Sequence, residues 1–336
     1  MAADALGLLE RAAGHLESWP YAQWRFGESI GVEGLLAAGG RHAAIARSLL
    51  VGWARDMPRP ADDPAAHLVP GVPLLLAGTD DDDRALLMAR AAELAVRLSS
   101  LPRGHHGAFL HRPDLEPWTH HVWVDCMQLD GPFITLLARL TGDTVLAELG
   151  ADMALAHARV LQDEASGLFS HGFDDRDGAP NRIHWARGQG WALLGLVGTL
   201  ANLGPDMRGR GELQERARML LRALGRTTSD GRWRAVADAP QMAVEPSTSA
   251  FVALGVLRAE AIGLADEAAR ELGRAARAAA LAWLRDDGSY PVSSATPVSS
   301  SLADYADRPL GVFPWGQGPV LLMELEAVGP TGGLRG

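Results

Sequence analysis

Apolar residues recur along this chain at spacings of three and four, and the alternation expected of a half-buried strand is nearly absent. Such a chain can bury its apolar surface only by packing helix on helix. The periodicity predicts twelve helices, over residues 3–18, 28–39, 41–55, 69–78, 83–99, 123–141, 143–161, 188–203, 211–226, 247–263, 266–285 and 315–327. Start signals support several of them: the aspartates before Arg84, Asp143 before Val145, Ser247 with Thr248, and Asp266. Gly142, Gly204 and Gly263 stand where helices should stop. Twelve helices make six hairpins, and the simplest closed arrangement is an all-α (α/α)6 barrel. Identity between the hairpins is weak, so periodicity alone leaves an open solenoid of helix pairs as the alternative.

The placing of special residues favours the ring. Tryptophans, polar residues and glycines gather at or just before the even-numbered helices, in Trp24 to Glu28, His67 to Gly71, His120 to Asp125, Trp185 to Trp191, Glu245 to Ser249 and Trp315 to Gly318. In a toroid these starts converge at one mouth of the inner ring and share a pocket. Residues 1–328 are therefore expected to form one catalytic domain, with the glycine-rich residues 329–336 as a frayed tail. Two long connections, 101–119 and 167–184, break the helical pattern. Their histidine and aromatic content points to function rather than disorder, and the second holds a short extended stretch, Leu168 to Phe173.

Composition narrows the partners. The net charge of −10 argues against a nucleic-acid or anionic-membrane surface, so an anionic substrate would need locally placed arginines. Every basic residue is Arg, with no Lys in the chain. No charge-free apolar run is long enough to span a bilayer, and residues 1–17 lack the features of a secretory signal. Cys126 is the only cysteine, which excludes an intrachain disulfide and makes the cytoplasm the default location.

Three stretches carry candidate chemistry. In Val122-Trp123-Val124-Asp125-Cys126-Met127 an aspartate opens an otherwise apolar helix. It is either a carboxylate stabilised by the helix dipole or a partly dehydrated acid able to donate a proton near neutrality. In Trp185-Ala186-Arg187-Gly188-Gln189-Gly190-Trp191, Arg187 offers a fork for a carboxylate, the tryptophans offer flat faces for a sugar, and the glycines would admit a ligand to the backbone. The alternative is a pair of core tryptophans and a surface ion-pair arginine. Gly167-Leu168-Phe169-Ser170-His171-Gly172-Phe173-Asp174 presents His171, structural or catalytic. The run Asp80 to Asp83 reads as a solvated helix start, and the pairs His105-His106 and His120-His121 lack the spacing of a zinc site. Gly188 to Gly190 follow no predicted strand, so a dinucleotide fingerprint fails, and no Gly-x-Ser-x-Gly elbow occurs.

The strings VWVDCMQLDGPF, GLFSHGFDD and WARGQGWALLGL resemble the unsaturated glucuronyl and rhamnogalacturonyl hydrolases, glycoside hydrolase families 88 and 105, in the same order and at similar separations. VEPSTSAFVALGVLRAEAIGL, WGQGPVLLMELE and LVPGVPLLL resemble further segments, so the likeness runs from about Trp24 to Glu326. The resemblance implies an (α/α)6 barrel with no metal and no organic cofactor. It implies hydration of the enol ether of a terminal 4,5-unsaturated uronic acid, galacturonate or glucuronate, on a disaccharide-sized anionic substrate. Asp125 matches the catalytic aspartate, His171 the pocket histidine, and Trp185, Arg187 and Trp191 the substrate-binding residues. Gln189 stands at a polar motif position, Trp123 would form a wall, His111 matches an upstream pocket histidine, and Trp24 and His67 lie in the clusters at the mouth. One departure stands out. Where the family commonly has a second aspartate before the proline-glycine pair, Ala65-Ala66-His67-Leu68 precede Pro70-Gly71, leaving His67, Asp62 or Asp63 as substitutes. The rivals are another sugar enzyme on the same barrel, such as an epimerase, and a sugar-binding homologue without activity. Nothing in the sequence sets the oligomeric state.

Overall fold

The computed structural model describes residues 2–56, 70–77 and 83–329. Its helices are α1 (Ala2–Glu17), α2 (Phe26–Ala38), α3 (Gly40–Arg55), α4 (Gly71–Ala77), α5 (Arg84–Ser100), α6 (Cys126–Thr141), α7 (Thr144–Leu161), α8 (Ala186–Asn202), α9 (Arg210–Thr227), α10 (Pro246–Ala261), α11 (Glu267–Trp283) and α12 (Pro314–Val328). Around them lie five short strands, β1 (His121–Trp123), β2 (Gly172–Asp174), β3 (Ala179–Pro180), β4 (Pro291–Ser293) and β5 (Leu310–Val312).

The even-numbered helices form a closed ring. Each packs against the next, from α2 through α4, α6, α8 and α10 to α12, and α12 closes back onto α2. That last contact excludes the open solenoid. The odd-numbered helices lie outside, with α3 on α2, α5 on α4, α7 on α6, α9 on α8, α11 on α10, and α1 against α12. The sequence sorts the two layers. In α11 the buried positions Ala269, Leu272, Gly273, Ala276, Ala279 and Ala280 form one stripe, and Glu267, Glu271 and Arg274 stand exposed on the other side. In α8 nearly every residue from Ala186 to Leu200 is buried, as a helix enclosed on all sides requires. Glycine lets the inner helices touch. A Cβ on Gly195 of α8 would lie 2.5 Å from the Met127 carbonyl of α6, and one on Gly318 of α12 would lie 2.5 Å from the Ile30 carbonyl oxygen of α2.

The helix boundaries follow the periodicity closely. Asp143 caps α7 by accepting from the amides of Val145 (2.9 Å) and Leu146 (3.0 Å), and Asp266 caps α11 through Ala269 (2.8 Å). Three expectations change. Glu245, rather than Ser247 or Thr248, caps α10, accepting from the Ser247 amide at 3.2 Å. Asp83 precedes α5 without a side-chain cap, and the rest of the Asp80 to Asp83 run lies outside the described residues. The helix expected over 123–141 begins only at Cys126, because the chain before it is strand. There β1 pairs antiparallel with β2, and β2 with β3. No described helix is long and apolar enough to cross a membrane.

Candidate active site

The small sheet positions the expected acid. Trp123 of β1 pairs with Gly172 of β2, the Val124 amide donates to the His171 carbonyl (3.0 Å), and the His171 amide donates to Ile183 (2.9 Å). Asp125 follows at the N-cap of α6, yet its side chain caps nothing. Its Oδ2 lies 3.4 Å from Nε2 of His171, and the two residues are only 4% and 1% exposed. Neither of these two atoms hydrogen-bonds a described residue. The other ring nitrogen of His171, Nδ1, lies 2.8 Å from the Tyr305 hydroxyl. A second carboxyl on α6, Asp130, is pushed well above its ordinary range by burial.

Aromatic rings wall this pair. The His171 ring lies 4.4 Å from Trp185, and Trp123 flanks it at 6.1 Å. His111 stacks on Trp123 at 3.8 Å and turns Nδ1 toward the Cys126 thiol, 3.2 Å away. Burial pushes that thiol well above its usual range, so Cys126 is an inert neighbour rather than a nucleophile. Asp125, His111, Trp123, His171 and Trp185 are thus brought together from four separate stretches of chain.

The remaining expectations fall differently. Arg187 is 0% exposed and stacks under Trp185, with its guanidinium carbon 4.5 Å from the ring centroid. Its Nη1 donates to the Ser293 carbonyl (3.0 Å) and hydroxyl (3.1 Å), Nη2 donates to the Ser294 carbonyl (2.9 Å), and Glu245 supplies the countercharge at 3.4 Å. Burial lowers its pKa, and the charges of Glu245 and Asp125 oppose that. Both Nη atoms of the expected carboxylate fork are therefore engaged by the protein, while the buried Nε has no partner among the described residues. Arg187 ties α8 and α10 to β4 from beneath the tryptophan. Gln189 is likewise not free for a ligand. Its Oε1 accepts from the Phe169 amide (2.7 Å) and its Nε2 donates to the carbonyls of Phe169 (2.7 Å) and Trp185 (3.0 Å). Trp191 is fully buried and packs edge-on against Phe251 (4.5 Å) and Phe26 (5.9 Å), a core position. Gly188 and Gly190 serve packing as well, since a Cβ on either would meet Val124 (2.9 Å) or Phe251 (2.5 Å). Trp24 packs on Tyr21 (5.6 Å), and no ring contact joins it to the Asp125 group among the described residues. His67, Asp62 and Asp63 lie outside the described residues.

Sequence reasoning missed Tyr305, Asn181 and Arg308. Tyr305 is 134 residues from its partner His171, in a short 3-10 turn with no periodic signal. Arg308 is half-buried, donates to the Ala295 carbonyl, and lies close enough for its charge to be felt at Arg187. Among the described residues no group of three or more His, Cys, Asp or Glu is arranged to hold a metal ion.

Comparison with known proteins agrees with the fold. The unsaturated rhamnogalacturonyl hydrolase YesR of Bacillus subtilis (strain 168) is 27% identical over 252 residues, covering 72% of this chain and 70% of that protein. A crystal structure of a possible GH105 member from Klebsiella pneumoniae superposes with a TM-score of 0.83 at 21% identity, covering 96% of this chain and 92% of the other. The unsaturated glucuronyl hydrolase of Bacillus sp. GL1 superposes with a TM-score of 0.72 at 19% identity, covering 99% and 98%. The family model for Glycosyl Hydrolase Family 88 matches residues 56–329, and the chain belongs to that family.

Proposed function

We propose that this glycosyl hydrolase releases a 4,5-unsaturated uronic acid from the non-reducing end of a lyase-generated oligosaccharide, with Asp125 as its acid and base. The observation that carries the reading is the buried Asp125–His171 pair, 3.4 Å apart and walled by Trp123 and Trp185 in a chain of this family. The relatives support the substrate class, since two of them are named as unsaturated rhamnogalacturonyl and glucuronyl hydrolases.

In this reading the C4=C5 enol ether lies between the tryptophans. Asp125 delivers a proton to C4 and directs water to C5. The C5 hemiketal opens, C1 is left as a hemiacetal bearing the aglycone, and the aglycone departs as the alcohol. One water is consumed and one glycosidic bond is lost. A single carboxyl suffices because the attack avoids the anomeric carbon, where ordinary glycosidases need two carboxyls across the bond. With both Nη atoms of Arg187 engaged by the protein, Arg308 is the cation we assign to the uronate carboxylate.

The test follows the near-ultraviolet absorbance of the enol ether in a panel of unsaturated galacturonyl and glucuronyl disaccharides. The wild-type protein is expected to remove it, and Asp125→Asn to be slower by about a hundred- to ten-thousand-fold. Wild-type turnover by that variant, or tight binding by the wild type without absorbance loss, would overturn the proposal.

A further inference from the structure

We infer that Tyr305 fixes the tautomer of His171, so that the neutral ring carries its proton on Nε2, facing Asp125. The inference begins at Asn181. Its Oδ1 lies 3.3 Å from the amides of Gly172 and Ile183, both donors, so that atom must be the acceptor. Its Nδ2 is then the donor, toward the Ser299 carbonyl (2.8 Å) and the Tyr305 hydroxyl (3.3 Å).

The Tyr305 oxygen thus accepts from Asn181 and also from the Ser299 amide at 3.2 Å. Burial raises the phenol to about 12, so it keeps its proton at neutral pH. A phenol has one proton to give, and here its accepting capacity is already taken. Two acceptors stand within reach of that proton, His171 Nδ1 at 2.8 Å and the Ser299 carbonyl at 3.3 Å. The carbonyl already receives the shorter Asn181 bond, and the imidazole is nearer. Tyr305 therefore donates to Nδ1, which must be bare, and a neutral imidazole with bare Nδ1 is protonated at Nε2.

Nε2 is the atom 3.4 Å from Asp125 Oδ2. With hydrogen there, His171 presents an N–H toward Asp125; the other tautomer would present only a lone pair. Tyr305 is accordingly a positioning residue that acts through His171. Its kinetic effect rests on Asp125 being the acid and base, but the tautomer itself does not.

The test labels histidine with nitrogen-15 and reads, by long-range nitrogen–proton correlation, which ring nitrogen of His171 carries hydrogen. The signal is assigned by its loss in His171→Asn. The wild type is expected to show a bare Nδ1 and a protonated Nε2. Tyr305→Phe, which removes only the hydroxyl, should show a mixture of tautomers. Its kcat should fall about tenfold, a small part of the usual acid–base contribution, with KM held within about twofold. A protonated Nδ1 in the neutral wild-type ring overturns the inference, and so does a Tyr305→Phe protein that keeps the wild-type tautomer, whatever its rate. Should Tyr305→Phe not fold, the wild-type spectrum still decides. An active Asp125→Asn would refute the proposed function while leaving the tautomer spectrum as it is.

Discussion

Replacing Gln189 by Glu tests whether this side chain clamps the loop carrying His171 or faces a ligand. The change is nearly isosteric. It retains the acceptor for the Phe169 amide but puts an oxygen where Nε2 now donates to two carbonyls, at 2.7 and 3.0 Å. An ionised Glu at 189 would have no proton for either carbonyl and would be buried without a countercharge. The folded protein can avoid this by keeping the acid protonated, which restores a donor to Phe169, while the Trp185 carbonyl keeps the main-chain amide of residue 189 at 3.2 Å. The protonation cost sets the ceiling. With an unfolded pKa of about 4.3, holding the group neutral at pH 7 costs about 1.36 × 2.7, or ~3.7 kcal/mol. The folded pKa is raised, so the native state binds the extra proton. The destabilisation relative to wild type is then small near pH 4.3 and grows by about 1.4 kcal/mol per pH unit above it, until the folded pKa is passed. Urea unfolding of wild type and Gln189→Glu at matched pH values between about 4.5 and 7.5 measures this difference directly. A difference that does not change with pH would refute the clamp. So would a Gln189→Glu protein as stable as wild type at pH 7.5 but with a raised KM, the signature of a ligand-facing residue.

Two further outcomes follow from the same geometry. Gly195→Ala places a Cβ 2.5 Å from the Met127 backbone, so α6 and α8 must separate; a loss of about 1–3 kcal/mol is expected in urea unfolding, and an unchanged midpoint would contradict the close approach. Arg308→Ala should raise KM for an unsaturated uronyl disaccharide by about tenfold or more, as for a lost charge-assisted hydrogen bond, with kcat little altered; an unchanged KM would remove Arg308 from the carboxylate.

The helical layers were legible because their cause is periodic. A stripe such as Leu272, Ala276, Ala279 on α11 announces both the helix and the face it buries, and caps such as Asp143 mark where it starts. Ring closure was legible only indirectly, through clusters such as Phe26 and Trp315, which meet at 5.8 Å across the α2–α12 junction. Residue type was read more surely than residue role. Arg187 and Gln189 stood out as polar groups between tryptophans, but a guanidinium that could grip a substrate carboxylate is equally able to grip Ser293 and Ser294. Which acceptor fills a donor depends on distant chain, here β4, more than a hundred residues on. Tyr305 was invisible for the same reason: it lies in an irregular segment and its partner is far away.

The least legible element fixes the most chemistry. Three residues of β1 are too few to establish an alternating pattern, and their apolar members merge into the periodicity of α6. Yet the pairing of Trp123 with Gly172 sets which residues stand beside one another at the mouth. A one-residue slip in such a ladder turns every side chain to the opposite face, which would carry Trp123 away from His171. Gly172 helps to hold that register, since a Cβ there would lie 2.6 Å from Val298 in the segment that ends at Tyr305. The barrel brings the helix starts into one region, which is a global consequence of hydrophobic spacing. The 3.4 Å between Asp125 and His171 comes instead from a local ladder. A substitution that shifts this ladder should therefore abolish catalysis in a molecule whose helical content and unfolding midpoint are nearly normal.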